Sequence, residues 1–328
     1  MKPAKSLQFQ VEKNKFINHA IEEIPEENLT LATDEIKVKI DLFSFTSNNI
    51  TYAVSGEIIR YWEFFPPASH LKMKAGHITG KRFIDVSEHR STLPPTYNLY
   101  RRVLSEPNYD QKLDRDRALF YPLYITSFCL WDSLQENSWF GAKQTIILSA
   151  SSKTSIGLAY GLHIDETAPK AIGITSERNL DAVVKLGLYD EVYTYDQLAD
   201  INSEIPTVIV DMSGNNAVLV DLHKRLGDLM KFTFKVGLTH WKESNPNEGI
   251  IRERSKFFFA PSHIQKRIED WGASEFDQKT AQFLVDAVAT TKAWLQYKTL
   301  DGLADLAEVY PTVCNGKLAA DQGLIVTM

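Results

Sequence analysis

The chain has 328 residues, 44% of them hydrophobic and 24% charged, with a formal net charge of −6. That length holds one large domain or two of ordinary size, and that composition buries a sizeable core in a soluble globular protein. The acidic balance argues against nucleic acid as a partner, because phosphate backbones want clustered Lys and Arg.

No stretch reaches membrane-spanning length, and the opening "MKPAKSLQFQVEKNKF" lacks the apolar run of a secretion signal. The two cysteines, Cys129 and Cys314, build neither a disulfide framework nor a Cys-based zinc site. A cytoplasmic, reducing location is the expectation.

Taken in chain order, "SLQFQVEKN" reads as a strand, and "EIKVKIDLFSFT" alternates apolar and polar residues from Ile36 to Phe43 as a second, half-buried one. Pro66 and Pro67 exclude a helix across "YWEFFPPASHLKM". "KRFIDVSEH" is a further strand candidate. "DRDRALFYPLYITSFCLWDSLQEN" carries Leu123, Ser127, Leu130 and Leu134 near helical spacing, with Pro122 marking a break or start.

From Gln144 the pattern becomes strand–helix alternation. "QTIILSA", "KAIGITS", "DEVYTYD", "PTVIVDMSG" and "FTFKVGLTH" are the strands; "SIGLAYGLH", "NLDAVVKLG" and "NAVLVDLHKRLGD" are the helices between them. Such alternation predicts a doubly wound, Rossmann-type parallel sheet covered on both faces, an α/β fold. After Trp241 the chain is polar and turn-rich. A helix is expected from about Asp277 to Gln296, presenting Leu284, Val288, Thr291 and Leu295, and "GLIVTM" is a closing strand. The expected organisation is a β-rich domain over 1–117, a dinucleotide-type domain over 118–261, and a segment 262–328 that returns to the first.

"LSASSKTSIG" lies between the first strand of the alternating unit and its helix. There a ligand phosphate meets backbone N–H groups and the positive end of the helix dipole. Ser151, Ser152, Thr154 and Ser155 offer small side chains with hydroxyl donors. Lys153 adds charge at the mouth, and Gly157 lets the helix pack closely on the sheet. At the end of the second strand, an acidic residue would hold the ribose hydroxyl of NAD. Here Thr175 and Ser176 stand in its place and Arg178 follows, which favours NADPH; Ser176 can equally cap the next helix. Tyr195, Met212, Gly214 and Gly237, in and after the later strands, complete the expected cofactor set.

"SASSKTSIGLAYGL", "AIGITSERNLDAVVKLGLYDEVYTYD", "TVIVDMSGN" and "KVGLTHW" together resemble the cofactor half of medium-chain dehydrogenases/reductases, the zinc-free, quinone-oxidoreductase-like branch most closely. "FPPASHL", "FIDVSEHR", "YDEVYTYD" and "GLTHW" are similar to a bacterial and fungal subfamily whose function is not established. The superfamily's zinc-binding cysteine and its glycine–histidine–glutamate motif are missing, so no metal is expected. The stretch from Phe64 to His70 is shorter than in relatives, which carry further strands there; the β-rich domain is therefore expected to be shortened.

The resemblance places an asparagine of "IDLFSFTSNNITYAVSG" near the nicotinamide. Asn49 then orients a substrate oxygen or the carboxamide, and Tyr52 donates a proton or orients a carbonyl; the plainer readings are a turn residue and a packed aromatic. His240 ends the fifth strand, facing the ligand crevice, or stacks as a loop histidine beside Trp241. His70 in "ASHL" is a further candidate.

Two functions remain open. One is an NADPH-dependent reductase of a carbonyl or activated alkene on a small-molecule substrate. The other is a non-catalytic NADP(H)-binding protein with a sensing or structural role. Non-redox lyase chemistry on the same scaffold is a third reading. A homodimer stays open, and no membrane partner is expected.

Overall fold

The computed structural model describes residues 6–13, 15–25, 30–59, 62, 70–106, 109–237 and 249–328. They divide into two compact units. Unit 1 comprises Met1–Leu119, Tyr297–Leu318 and Gln322–Met328; unit 2 comprises Phe120–Gln296 and Ala319–Asp321.

In unit 1, β1 (Leu7–Val11) and β2 (His19–Glu23) form an antiparallel hairpin. The expected strand from Ile36 to Phe43 is two strands, β3 (Glu35–Lys39) and β4 (Leu42–Phe45). They break at Ile40 and Asp41 and join different sheets. Alternation alone cannot see this, because each piece keeps the period of two. Next come α1 (Ser47–Ile59), β5 (His70–Gly76), β6 (Arg82–Asp85) and β7 (Leu99–Arg101). The order β3-β5-β6-β7 makes a four-stranded antiparallel sheet. The prolines Pro66 and Pro67 and the shortened stretch lie outside the described residues, apart from His70 at its end.

α2 (Asp114–Glu136) contains Pro122 in its interior. Proline has no N–H to give to the carbonyl four residues earlier. That carbonyl, of Ala118, accepts instead from the Ser44 hydroxyl at 2.7 Å. The helix therefore runs through the point where the sequence predicts a break.

Unit 2 alternates β8 (Gln144–Leu148), α3 (Lys153–His163), β9 (Lys170–Thr175), α4 (Leu180–Lys185), β10 (Glu191–Thr194), β11 (Thr207–Asp211), α5 (Asn216–Leu226), β12 (Met230–Lys235) and β13 (Ser255–Phe257). The order β10-β9-β8-β11-β12-β13 is parallel throughout. It reverses direction between β8 and β11, the topological switch of a doubly wound sheet. Every residue of β8 and β11 is buried, as central parallel strands require. Ile146, Ile172, Ile209, Leu219 and Leu222 form the core on one side. The α/β, doubly wound reading is confirmed.

α6 (Ala260–Trp271) and α7 (Ala273–Thr291) belong to unit 2, where the sequence placed residues from 262 onward with the first domain. Phe283 of α7 packs against Phe128 and Trp131 of α2 and Tyr160 of α3, so apolar contact holds the helix there. The expected helix to Gln296 ends at Thr291, and its buried face is Phe276, Thr280, Phe283, Ala287 and Thr291; of the predicted side Thr291 lies on it, Leu284 and Val288 are half-buried, and Leu295 falls past the helix end. β14 (Gln296–Asp301), α8 (Gly302–Cys314) and β15 (Gln322–Thr327) follow, with β14-β15-β4 forming one sheet. In unit 1, Phe9, Phe45, Leu306, Tyr310, Leu324 and Val326 close a shared core.

Candidate functional site

The carboxyl ends of β8, β9 and β11 gather the polar turns of unit 2. Ligands of open α/β sheets bind at such ends. After β8 the chain turns at Ser149, whose φ of +57° is in the left-handed region, an uncommon place for a residue with a side chain. Ser152 then caps α3: its Oγ accepts from Ser155 N at 3.1 Å and sits 2.7 Å from Ser155 Oγ. Helix geometry gives the other first-turn N–H groups of α3 no intrahelical acceptor, and the positive end of a helix favours an anion. Ser151 Oγ accepts from Asn179 at 3.0 Å, tying this turn to the one after β9. Thr154 uses its carbonyl to accept from Ser127 of α2 at 2.8 Å.

Three of the expected loop residues take other parts. Ser155 is fully buried, so its hydroxyl serves the cap and the interior rather than an incoming phosphate. Lys153, expected at the mouth, donates instead to the Ala320 carbonyl at 3.2 Å and lies 5.8 Å from the Trp294 ring centre. Burial against these groups pulls its amine down to about 8. Gly157 packs on a helix, not the sheet: a Cβ there would fall 2.6 Å from Ser127 Oγ and 2.7 Å from a Tyr124 ring carbon, both on α2.

At the end of β9, Thr175 is buried, and its Oγ1 has no hydrogen-bond partner among the described residues. Ser176 starts the next turn without using its side chain as a cap. Arg178 is exposed beside it. Glu177 is exposed and no acid stands at the strand end itself.

The turn after β11 is organised by a residue the sequence did not single out. Asp211 is buried, and its Oδ1 accepts from Ser213 N (2.8 Å), Ser213 Oγ (2.7 Å) and Gly214 N (2.9 Å). Burial pushes its carboxyl above the usual range, against the pull of those donors. The Asp-x-Ser pattern of "DMSGN" is the available signal, since Asp followed by Ser favours such a turn. Gly214 has φ +65°, which glycine adopts without strain. Met212 is buried, and Gly237 passes so close that a Cβ would lie 1.9 Å from the Met212 oxygen.

Tyr195 bridges the two turns. Its hydroxyl accepts from Ser149 N at 3.1 Å, lies 3.2 Å from Ser149 Oγ, and also meets the Ser213 side chain. Burial raises its phenol above the ordinary value. Ser149, Asp211 and Ser213 are thus the site residues missed by sequence reasoning.

The proton-handling candidates Tyr52, Asn49 and His70 belong to unit 1. Asn49 and Tyr52 sit on α1. Asn49 Oδ1 accepts from Thr46 N at 2.9 Å and Thr46 Oγ1 accepts from Asn48 N at 3.2 Å, a reciprocal helix cap rather than a turn. Asn48 donates to the Tyr52 hydroxyl at 2.7 Å. His70 opens β5, with Nδ1 3.0 Å from Ser6 Oγ. His240 lies outside the described residues. Among the described residues, no group of three or more His, Cys, Asp or Glu side chains gathers as a metal site, and no helix is long and apolar enough to cross a membrane.

A family model described as a protein of unknown function, DUF2855, matches residues 43–68 and 64–319. The chain belongs to this family. No sequence match to a curated protein was found. Solved structures similar in fold include the quinone oxidoreductase of Thermus thermophilus, described with its NADPH complex. It is 10% identical with a TM-score of 0.53, over 98% of this chain and 100% of that one. The yhdH oxidoreductase of Salmonella enterica in complex with NADP is 12% identical with a TM-score of 0.57, over 99% and 100%. The mitochondrial 2-enoyl thioester reductase heterodimer of Candida tropicalis is 12% identical with a TM-score of 0.56, over 99% and 100%. The fold of this family member is therefore that of the medium-chain dehydrogenases/reductases.

Proposed function

We propose that this DUF2855 protein is an NADPH-dependent, zinc-independent oxidoreductase that reduces a carbonyl or activated alkene of a small organic substrate. The observation that carries the reading is the turn after β8, at the switch point of the parallel sheet, where Ser152 caps the N-terminus of α3, the positive helix end that suits a pyrophosphate. Ser151, Thr154 and the α3 backbone line that end, with Gly157 holding the helix in place. The donor set at the end of β9 fits a 2′-phosphate: a Ser176 hydroxyl not spent on a cap, the exposed Arg178 guanidinium, and no strand-end carboxylate to repel it. Thr175, Tyr195, Met212, Gly214 and Gly237 shape the remaining walls of the cofactor cleft.

Bound NADPH supplies the hydride. Tyr52, Asn49, His70 and His240 are the candidates for proton donation and carbonyl orientation. The similar folds that carry quinone oxidoreductase and enoyl thioester reductase names support a conjugated carbonyl substrate class.

A second reading, dinucleotide binding without turnover, draws on one observation. Asn49 is spent on a helix cap, and the Tyr52 hydroxyl and His70 Nδ1 are engaged by near neighbours in unit 1.

Thermal shifts with NADPH, NADH and no ligand test the shared part, since a ligand that binds only the folded state raises its melting temperature. Arg178→Ala is expected to weaken NADPH about ten- to a hundredfold and leave NADH unchanged, the loss of one charge-assisted contact. Equal losses remove Arg178 from the site, and no shift with either cofactor removes the reading. NADPH oxidation with quinones and α,β-unsaturated thioesters then separates the two functions.

A further inference from the structure

The four-stranded sheet of unit 1 has one face that departs from the acidic character of the chain. The register sets Lys37 opposite Lys72, Lys39 opposite His70, and Arg82 opposite Arg101. Partners in a register share a face, and residues two apart on a strand share it too, about 6.8 Å from one another. Lys74, opposite Glu35, therefore joins the same side.

Six cations stand on this face: Lys37, Lys39, Lys72, Lys74, Arg82 and Arg101. Acids that meet them include Glu35 at 3.4 Å from Lys72, Asp41 at 3.7 Å from Lys39, and Asp34 on Lys74. Like charges directly opposite one another destabilise a sheet. Edge-strand lysines are a common device against aggregation, but Lys72, Lys74 and Arg82 lie on the two inner strands.

Between the two cation groups the same face is aliphatic. Gly76 pairs with Ile84 and Ile84 with Leu99, both half-buried. Val86 is 39% exposed, and a Cβ added at Gly76 would fall 2.7 Å from it. The aromatic pair Phe83 and Tyr100, with ring centres 5.0 Å apart, faces the other way, on the side of buried Asp85.

We propose that this face of the sheet docks an acidic protein surface, with Ile84, Val86 and Leu99 as the apolar centre and the lysines and arginines as a charged rim. An apolar centre inside a polar rim is the anatomy of a protein interface. A nucleic-acid strand would use aromatic platforms, and the stacked pair Phe83 and Tyr100 faces the other way. The repulsion built into the free sheet is offset by carboxylates of the partner, and the cation pairs speed its approach. This surface is independent of the cofactor reading.

The test uses single charge reversals in the full chain. Lys37→Glu and Arg82→Glu each turn a repulsive cross-strand pair into an attractive one, so both variants are expected to melt higher than the parent. A labelled amphipathic peptide with one glutamate face and one leucine face is expected to bind the parent saturably, more weakly as salt rises. Each reversal weakens that binding about tenfold. Val86→Ser weakens it without changing the salt dependence, while Lys256→Glu, the same charge change on β13, leaves it alone. The proposal is overturned by no saturable peptide binding, by equal loss in Lys256→Glu, or by tighter binding of a single-stranded oligonucleotide or phosphatidylserine vesicles. A concentration-dependent dimer that Val86→Ser dissolves also overturns it, by assigning the face to a second copy.

Discussion

The turns after β8 and β11 end adjacent parallel strands, yet they settle their polar groups in opposite ways. After β11, one buried carboxylate takes three donors and leaves little for a ligand. After β8 there is no charge in the turn; hydroxyls cap and cross-link it. The difference teaches that one turn is organised by a single buried carboxylate and the other by neutral hydroxyls and backbone bonds. Lys153 fits this division, because its amine is used against Ala320 and Trp294.

The sharpest way to break the comparison is at the turn after β11. Asp211→Ala strands three donors in a buried site, at roughly 1–3 kcal/mol each before relaxation. A loss of about 4 kcal/mol in urea unfolding is expected. A loss below about 1 kcal/mol would mean that Asp211 does not organise the turn.

The helix behind that turn supplies the next effect. His223 of α5 is buried; its Nδ1 accepts from Ile251 N at 3.0 Å and its Nε2 lies 3.0 Å from Thr233 Oγ1. Burial, with nearby Arg254 and Lys235, pulls its pKa to about 4. The folded value is below the unfolded value near 6.5, so this stability is present above that pH and is lost as pH falls towards 4. The loss amounts to about 3 kcal/mol. Unfolding measured across that window should show the slope, and His223→Gln should flatten it.

The turn after β8 gives the third. Gly157→Val drives methyl groups into Tyr124 and Ser127 of α2, at a cost of about 2 kcal/mol. It should also displace α3 and weaken any ligand of its N-terminus. Retained stability together with full affinity would detach the loop from α2.

The smallest effect is the most discriminating. With its amine turned to Ala320, Lys153→Ala should change NADPH and NADH affinity by less than about threefold, under about 0.7 kcal/mol. A tenfold loss shared by both cofactors would put the amine back on the pyrophosphate.

The doubly wound unit is legible because parallel strands and amphipathic helices carry distinct periods, and the sequence marks each strand from β8 to β12. Elsewhere the determining interactions are not periodic. α6 escapes the sequence reading because its buried face holds His263, Ile264 and Arg267, two of them polar. His263 and Arg267 meet Asp132 at 2.5 Å, so burial there is satisfied by charge rather than by apolar spacing. α8, with Leu303, Leu306, Tyr310 and Val313 buried, has a helical spacing that the sequence reading does not use. Pro122 misleads for a different reason: the Ser44 hydroxyl that serves the freed Ala118 carbonyl is far away in sequence. In the candidate site, the residue types of the loop are readable but their directions are not. Lys153, Ser155 and Gly157 all face partners other than an incoming phosphate.

The Tyr195 bridge has a consequence for motion. Because one phenol holds Ser149 on one side and Ser213 on the other, the two turns share a fastening and neither can open alone without losing a hydrogen bond. Much of the ordering entropy of the cleft is then spent during folding instead of at ligand arrival. The Ser149 amide becomes a reporter of that fastening: its hydrogen exchange should be slow in the free protein and accelerate in Tyr195→Phe, with the fold intact.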